Sequence, residues 1–190
     1  MSMDIFEGRI TSCGFISGDR LVIGYWKDSP FGSFSDIMWA TSDGKKILIA
    51  PNQEIGDYIS SMYEFDIVKI EEIKVEEYIN QIIIVSKDIR CHFEWGNGIS
   101  LLTKKRPLWF VSSVEYLFGW LICGTKTHGD TQNGKKEWYA VDRLSKLISA
   151  KAYINGEDLG EYTSFYPKAN FGFSDPPKMP SSVLVRSHIE

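Results

Sequence analysis

The chain has 190 residues, 43% hydrophobic and 24% charged, with a net charge of −4 and a pI near 5.5. A globular chain of this size buries a core without disulfide or metal staples. Its acidic balance supplies no global positive field for nucleic acid or an anionic membrane, and the triplet Lys104-Lys105-Arg106 reads as a solvated helix flank.

The first half reads as short strands over 4–16, 20–28, 33–40 and 45–50. Turn clusters at 17–19, 29–32 and 41–44 separate them; Asp43-Gly44 between apolar runs is a hairpin signal, because glycine takes a positive φ without a Cβ clash. Pro51-Asn52 then opens a helix. Asn52 can cap it, and Ile55, Tyr58, Ile59, Met62 and Tyr63 form one apolar stripe at helical spacing. Strands return over 65–75, 78–85 and 89–95, with 86–88 as a tight connection. Glu71, Glu72, Glu76 and Glu77 are expected on the solvated side and edge of this sheet.

The stretch IRCHFEWG (89–96) alternates strictly. A strand places Arg90, His92 and Glu94 on one face and Ile89, Cys91, Phe93 and Trp95 on the other. The polar face can meet water, line a cavity or lend ligands to a metal. From Pro107 to Gly124 the period becomes helical and apolar residues run almost all round. This second helix is expected either to pack in the core or to dock on a second copy, another partner or a membrane. Residues 125–136 read as a mobile polar loop, and 137–144 with 145–156 as a strand pair, though 142–152 could form a short helix. From Glu157 onward four prolines predict an extended surface tail (157–190) packed on a single domain (1–190), ending in an edge strand over 182–188.

Strands in series with few helices predict a mainly β (α+β) fold. The expected architecture is an antiparallel barrel-like or strongly curved sheet, calycin-like in outline, with two helices. Cys13, Cys91 and Cys123 are far apart and show no CxxC spacing, so reduced thiols in a cytoplasmic protein are expected. Asp4, Glu7 and Arg9 interrupt any signal-peptide core, and 108–123 is too short and too polar to span a bilayer.

Four blocks carry a resemblance: GDRLVIGYWKDSPFGSFSDIMWATSDGKKILIAP (18–51), KKEWYAVD (135–142), NGEDLG (155–160) and NFGFSDPPKMPSSVLVR (170–186). Together they are similar to blocks in a family of uncharacterised prokaryotic proteins. The resemblance covers most of the chain and implies one unit, but it attaches no activity and no functional residue.

The candidate ligand-binding residues are Tyr25, Asp36, Trp39, Arg90, His92, Glu94, Trp138 and Arg143. Tyr25, Trp39 and Trp138 fall at or near strand ends, where an aromatic body with one polar tip suits either a pocket or a barrel rim. Asp36 lies on an apolar strand face with Phe34 and Met38, so it is expected to be paired, with Arg143 or Lys27, or functional. A metal site from His92, Glu94 and His128 would need a long-range coincidence, and no metal or cofactor is assigned. The sequence lacks a GxSxG elbow, a P-loop and a dinucleotide fingerprint. The leading expectation is therefore a barrel module binding a small apolar or amphipathic molecule or a partner. The alternatives are an enzyme using acid–base groups in an aromatic-lined cavity, and an interaction protein docking, as a homodimer or on another partner, through 108–123.

Overall fold

The computed structural model describes residues 3–100, 128–172 and 175–190. Four strands open the chain: β1 (Asp4–Phe15), β2 (Arg20–Asp28), β3 (Phe34–Ala40) and β4 (Lys46–Ala50). They form an antiparallel meander, and its third turn is closed by Thr41 N donating to Lys45 O at 2.9 Å with Gly44 at φ +91°. Helix α1 (Gln53–Met62) follows, capped by Asn52, whose side chain accepts from Ile55 N at 2.9 Å. It carries the chain over to β5 (Ile67–Ile70), which pairs with β4 in parallel, a pairing that requires such a crossover.

The rest is β6 (Lys74–Glu77), β7 (Gln81–Val85), β8 (Ile89–Trp95), β9 (Ile99–Ser100), β10 (His128–Asp130), β11 (Lys136–Ile154), β12 (Glu157–Asp158), β13 (Tyr162–Thr163) and β14 (Ser181–Ile189). The main sheet runs β5-β4-β3-β2-β1-β14-β11-β8-β7-β6. Its two ends, β5 and β6, are joined by residues 71–73, so the path curls round and its ends meet. The ion pair of Lys69 on β5 with Asp88 in the β7–β8 turn, at 2.9 Å, closes the same gap. The fold is mainly β and barrel-like, as predicted.

Several details correct the sequence reading. One helix, α1, stands among the described residues where two are predicted; the predicted helix over 107–124, with its docking surface at 108–123, lies outside them. The expected strand 65–75 is two strands on opposite ends of the sheet. Residues 128–136, read as part of a mobile loop, form the β10–β11 hairpin, with Thr131 N donating to Lys135 O at 2.8 Å. The expected strand pair over 137–156 is one strand of 19 residues, bent by bulges near Asp142 and Ile148. The strand expected at an edge, 182–188, is central, paired with β1 on one side and β11 on the other. Ser181, Ser182 and Ser187 made it look solvated, yet all three are buried.

Alternation sorts the strands into an inner and an outer face. The inner faces of β1–β4, β7, β8 and β11 share one apolar core, with Phe15, Leu21, Ile23, Ile37, Ile82, Ile84 and Phe93 each at most 2% exposed. A second layer lies outside, where α1 packs Ile55, Ile59 and Met62 against Phe6, Phe34, Leu48 and Ile189.

Two carboxylates are buried in that outer layer. Glu137 accepts from Tyr63 Oη at 2.6 Å and from Ser187 Oγ at 2.8 Å, and Tyr63 and Tyr139 meet hydroxyl to hydroxyl at 2.6 Å. Burial raises the pKa of the Glu137 carboxyl, opposed by these donors, and burial also raises both phenols well above their usual range. Asp36, 2% exposed, accepts from Trp26 Nε1 at 3.0 Å instead of pairing with Arg143 or Lys27. Burial pushes its pKa from 3.8 up to about 6, against the indole donation, which favours the carboxylate.

A raised carboxyl pKa means the fold prefers the protonated acid. Stability from Asp36 is complete below pH 3.8 and is lost as pH rises through about 6. The substitution Asp36→Asn keeps an oxygen for Trp26 and removes the charge. It is expected to raise stability by about 2–3 kcal/mol at pH 8, with the gain vanishing near pH 4, in urea melts run across that range. Gly24→Ala is expected to cost at least about 2 kcal/mol in the same melts, because a Cβ there overlaps Asp36 Oδ1 and Trp26 Nε1.

Candidate functional site

The inner face changes character along its length. On β1 it runs Phe15, Cys13, Thr11, Arg9, Glu7; on β14 it runs Ser182, Leu184, Arg186, His188, by the register Thr11–Ser182, Arg9–Leu184 and Glu7–Arg186. One end is therefore apolar and the other polar. Arg9 marks the transition. Its side chain is buried, with the residue 7% exposed, and its guanidinium lies 4.1 Å from the centre of the Trp95 ring on β8. Such a stack contributes about 2 kcal/mol when desolvated.

Arg9 also bonds two further strands, β14 and β6. Its Nη1 donates to Ser182 Oγ at 2.9 Å, and Ser182 Oγ lies 2.9 Å from Thr11 Oγ1. Its Nε is 3.4 Å from Glu77 Oε1 on β6. The other Glu77 oxygen pairs with Lys27 Nζ on β2. Among the described residues Arg9 Nη2 makes no hydrogen bond. Burial lowers the Arg9 pKa, Glu77 opposes that, and Arg143 adds to the lowering by like-charge repulsion, which places a second guanidinium within electrostatic reach. Arg143 itself donates from Nε to Ser100 Oγ at 3.2 Å.

Further along the polar end, Arg186 pairs with Asp142 at 3.3 Å. Arg186 Nε and His188 Nδ1 are buried without hydrogen-bond partners. Burial, then Arg186, lowers the His188 pKa, with Glu7 opposing.

Of the residues singled out from the sequence, Tyr25, Trp39, Trp138 and Arg143 lie on the inner face. Tyr25 and Arg143 flank Arg9: Tyr25 is its register partner on β2, with Lys27 Nζ 5.8 Å from its ring. Trp138 sits at the far polar end, paired in register with His188. Trp39 is at the apolar end and donates from Nε1 to Asp19 Oδ1 at 2.8 Å. Asp36 lies in the outer layer, away from this group.

Arg90, His92 and Glu94 occupy the outer face of β8, with Ile89, Cys91, Phe93 and Trp95 inward. Arg90 is exposed, and His92 Nε2 bonds Gln81 Oε1 at 2.8 Å and lies 3.5 Å from Glu94 Oε1. Beside them is an open pocket of about 520 Å³ lined by Tyr78, Ile79, Asn80, Gln81, Glu94, Trp95 and Ile148. Trp95 is therefore a wall common to that pocket and to the Arg9 site. Among the described residues, no group of three or more His, Cys, Asp or Glu side chains could hold a metal.

Sequence reasoning missed Arg9, Thr11, Glu77 and Ser182. A signal was present: β1 is apolar on its other face too, at Phe6 and Ile10, so a charge between them had nowhere to go but inward.

Among the described residues no helix is long and apolar enough to cross a membrane. No family model matches the sequence, and no curated protein matches it. Two solved structures align with the chain. A structure from structural studies of acetoacetate decarboxylase aligns over 100% of this chain and 87% of its own, with a TM-score of 0.52 and 9% identity. Acetoacetate decarboxylase from Legionella pneumophila subsp. pneumophila str. Philadelphia 1 aligns over 100% of this chain and 82% of its own, with a TM-score of 0.39 and 10% identity. The first likeness is one of fold alone: the chain is built on a curled, barrel-like sheet similar to that of an acetoacetate decarboxylase.

Proposed function

We propose that the protein binds a small amphipathic molecule at the polar end of the barrel interior, between Arg9, Tyr25 and Trp95. The observation that carries this reading is the change of character along the inner face. A sheet that only needed a core would stay apolar inside, because burying a guanidinium costs several kcal/mol that a packed aliphatic side chain avoids. Here Arg9 is buried on an aromatic ring, beside two hydroxyls, at the border between an apolar and a polar zone. A molecule with one apolar and one polar end matches that border, and concave sites with a few convergent polar groups are the usual places for such ligands.

An enzyme acting in the same interior is the second reading, favoured by the fold likeness to an acetoacetate decarboxylase. In that reading Arg9, Glu77 and Lys27 are the charged groups within reach of a substrate. Release of carbon dioxide from acetoacetate by the purified chain, absent in Arg9→Gln, supports it; no release above the uncatalysed rate counts against it.

For the binding reading, the neutral dye Nile red is expected to bind and to be displaced by octanol. Tyr25→Ala is expected to weaken octanol about 5–10-fold, the equivalent of 1–1.4 kcal/mol. His92→Ala, on the outer face, is expected to leave it unchanged. Equal effects of the two substitutions, or no dye binding, would overturn the reading.

A further inference from the structure

We propose that α1 is a proton-operated latch on the outside of the barrel: with Glu137 protonated the helix is fixed to β11 and β14, and with Glu137 ionised it loosens from them together with β5. This inference stands apart from the ligand proposed above and concerns the opposite face of the sheet.

The geometry gathers the end of α1 onto one buried acid. Tyr63, the residue that caps the helix C-terminus, donates from Oη to Glu137 Oε2 at 2.6 Å and meets Tyr139 Oη at 2.6 Å. The other Glu137 oxygen takes Ser187 Oγ at 2.8 Å, so α1, β11 and β14 share a single carboxyl that is 2% exposed. The β10–β11 turn adds two bonds to the same helix end: Gln132 N donates to Met62 O at 3.2 Å, and Asn133 Nδ2 to Ser61 Oγ at 3.1 Å.

A charge on that acid is poorly answered. Its bonded partners are hydroxyls, and among the described residues no cation pairs with it. The ionisable groups around it are Tyr58 and Tyr63 from α1, Tyr139 from β11, Asp36 from β3, Asp4 from β1 and Lys135 from the β10–β11 turn. Lys135 is engaged by Asp4 at 3.5 Å, and β14 offers Ser187 and Ile189, neither charged. Three hydroxyls offset part of the cost of a buried carboxylate, and water would offset the rest. Burial raises the Glu137 pKa against those donors. A raised value means that the stability from this acid is complete at low pH and is lost as pH rises through it.

The helix is the element that yields. β11 and β14 pair with each other along nine register positions and have further strands on their other sides. α1 has ten residues, carries Gly56 in its interior and has no basic residue in its last turn. A helix that short is marginal without its packing, and the glycine costs about 1 kcal/mol more. β5 follows it, because Ile70 and Val68 lie against Gly56, where a Cβ would sit 2.9 Å from Ile70 Cδ1. The strand at one end of the sheet is thereby held down by the same helix.

The test is native-state hydrogen exchange of the intact chain at pH 5 and pH 8.5, each corrected for the rate of unstructured peptide. Protection of the α1 and β5 amides is expected to fall at least 5-fold at the higher pH, while that of β1 and β14 changes less than 2-fold. In Glu137→Gln, neutral at both pH values, the α1 response is expected to shrink to within 2-fold. A fall shared equally by β1 and β14 is global loosening and overturns the latch, as does no fall in α1, or a full response in a folded Glu137→Gln. Should Glu137→Gln not fold, Asp36→Asn leaves Glu137 as the buried acid of this layer to be followed. In that variant the infrared C=O band of a protonated carboxyl is expected to disappear with the same pH midpoint as α1 protection, and separate midpoints overturn the proposal.

Discussion

The architecture depends on a single strand that belongs to both halves of the sheet. β11 runs 19 residues, about twice the upper range of an ordinary strand, and its first part pairs with β14 while its second pairs with β8. A flat strand of that length would carry β14 and β8 in one plane. The bulges near Asp142 and Ile148 each insert a residue, raise the local twist and turn the strand, so the two halves face each other across a shared interior. From this bend follow the common core, the meeting of β5 with β6, and the reach of Arg9 on β1 to Glu77 on β6.

The two faces of the sheet solve the problem of buried charge differently. Inside, Arg9 keeps its charge by stacking on Trp95 and sharing Glu77 with Lys27. Outside, beneath α1, Asp36 and Glu137 are surrounded by indole, phenol and hydroxyl donors, and burial drives both toward the neutral acid. The outer group holds together as a set of hydrogen bonds between elements distant in sequence. The inner group is held by an aromatic stack, a shared ion pair and two hydroxyls at the border of an apolar and a polar zone. That contrast is why the ligand is assigned to the inner group and the dependence on pH to the outer one.

Local chemistry made much of this legible. The Thr41–Gly44 turn, the Asn52 cap and the apolar stripe of α1 each follow from a few neighbouring residues. So does the alternation of 89–95, with its aromatic side inward and its charged side outward. What escaped the sequence depends on partners far along the chain. Ser182 looks solvated until Thr11 and Arg9 are placed beside it, and Asp36 looks in need of a cation until Trp26 is turned toward it. Glu77, one of four nearby glutamates, was indistinguishable from an edge charge before the curl brought Arg9 across. The continuity of β11 was hidden because its bulges break the alternation that marks a strand.

The central place of β14 bears on how the molecule assembles. β1 is made early and β14 late, yet the two are neighbours, and in the sheet order β14 stands between β1 and β11. While the chain lengthens, β1 has an open flank of backbone donors and acceptors, and the barrel has a missing stave. Pairings between such remote segments are entropically slow to close, and an unmet strand flank invites the wrong neighbour. Insertion of residues 181–189 is thus the step that turns two separate sheets into one cylinder.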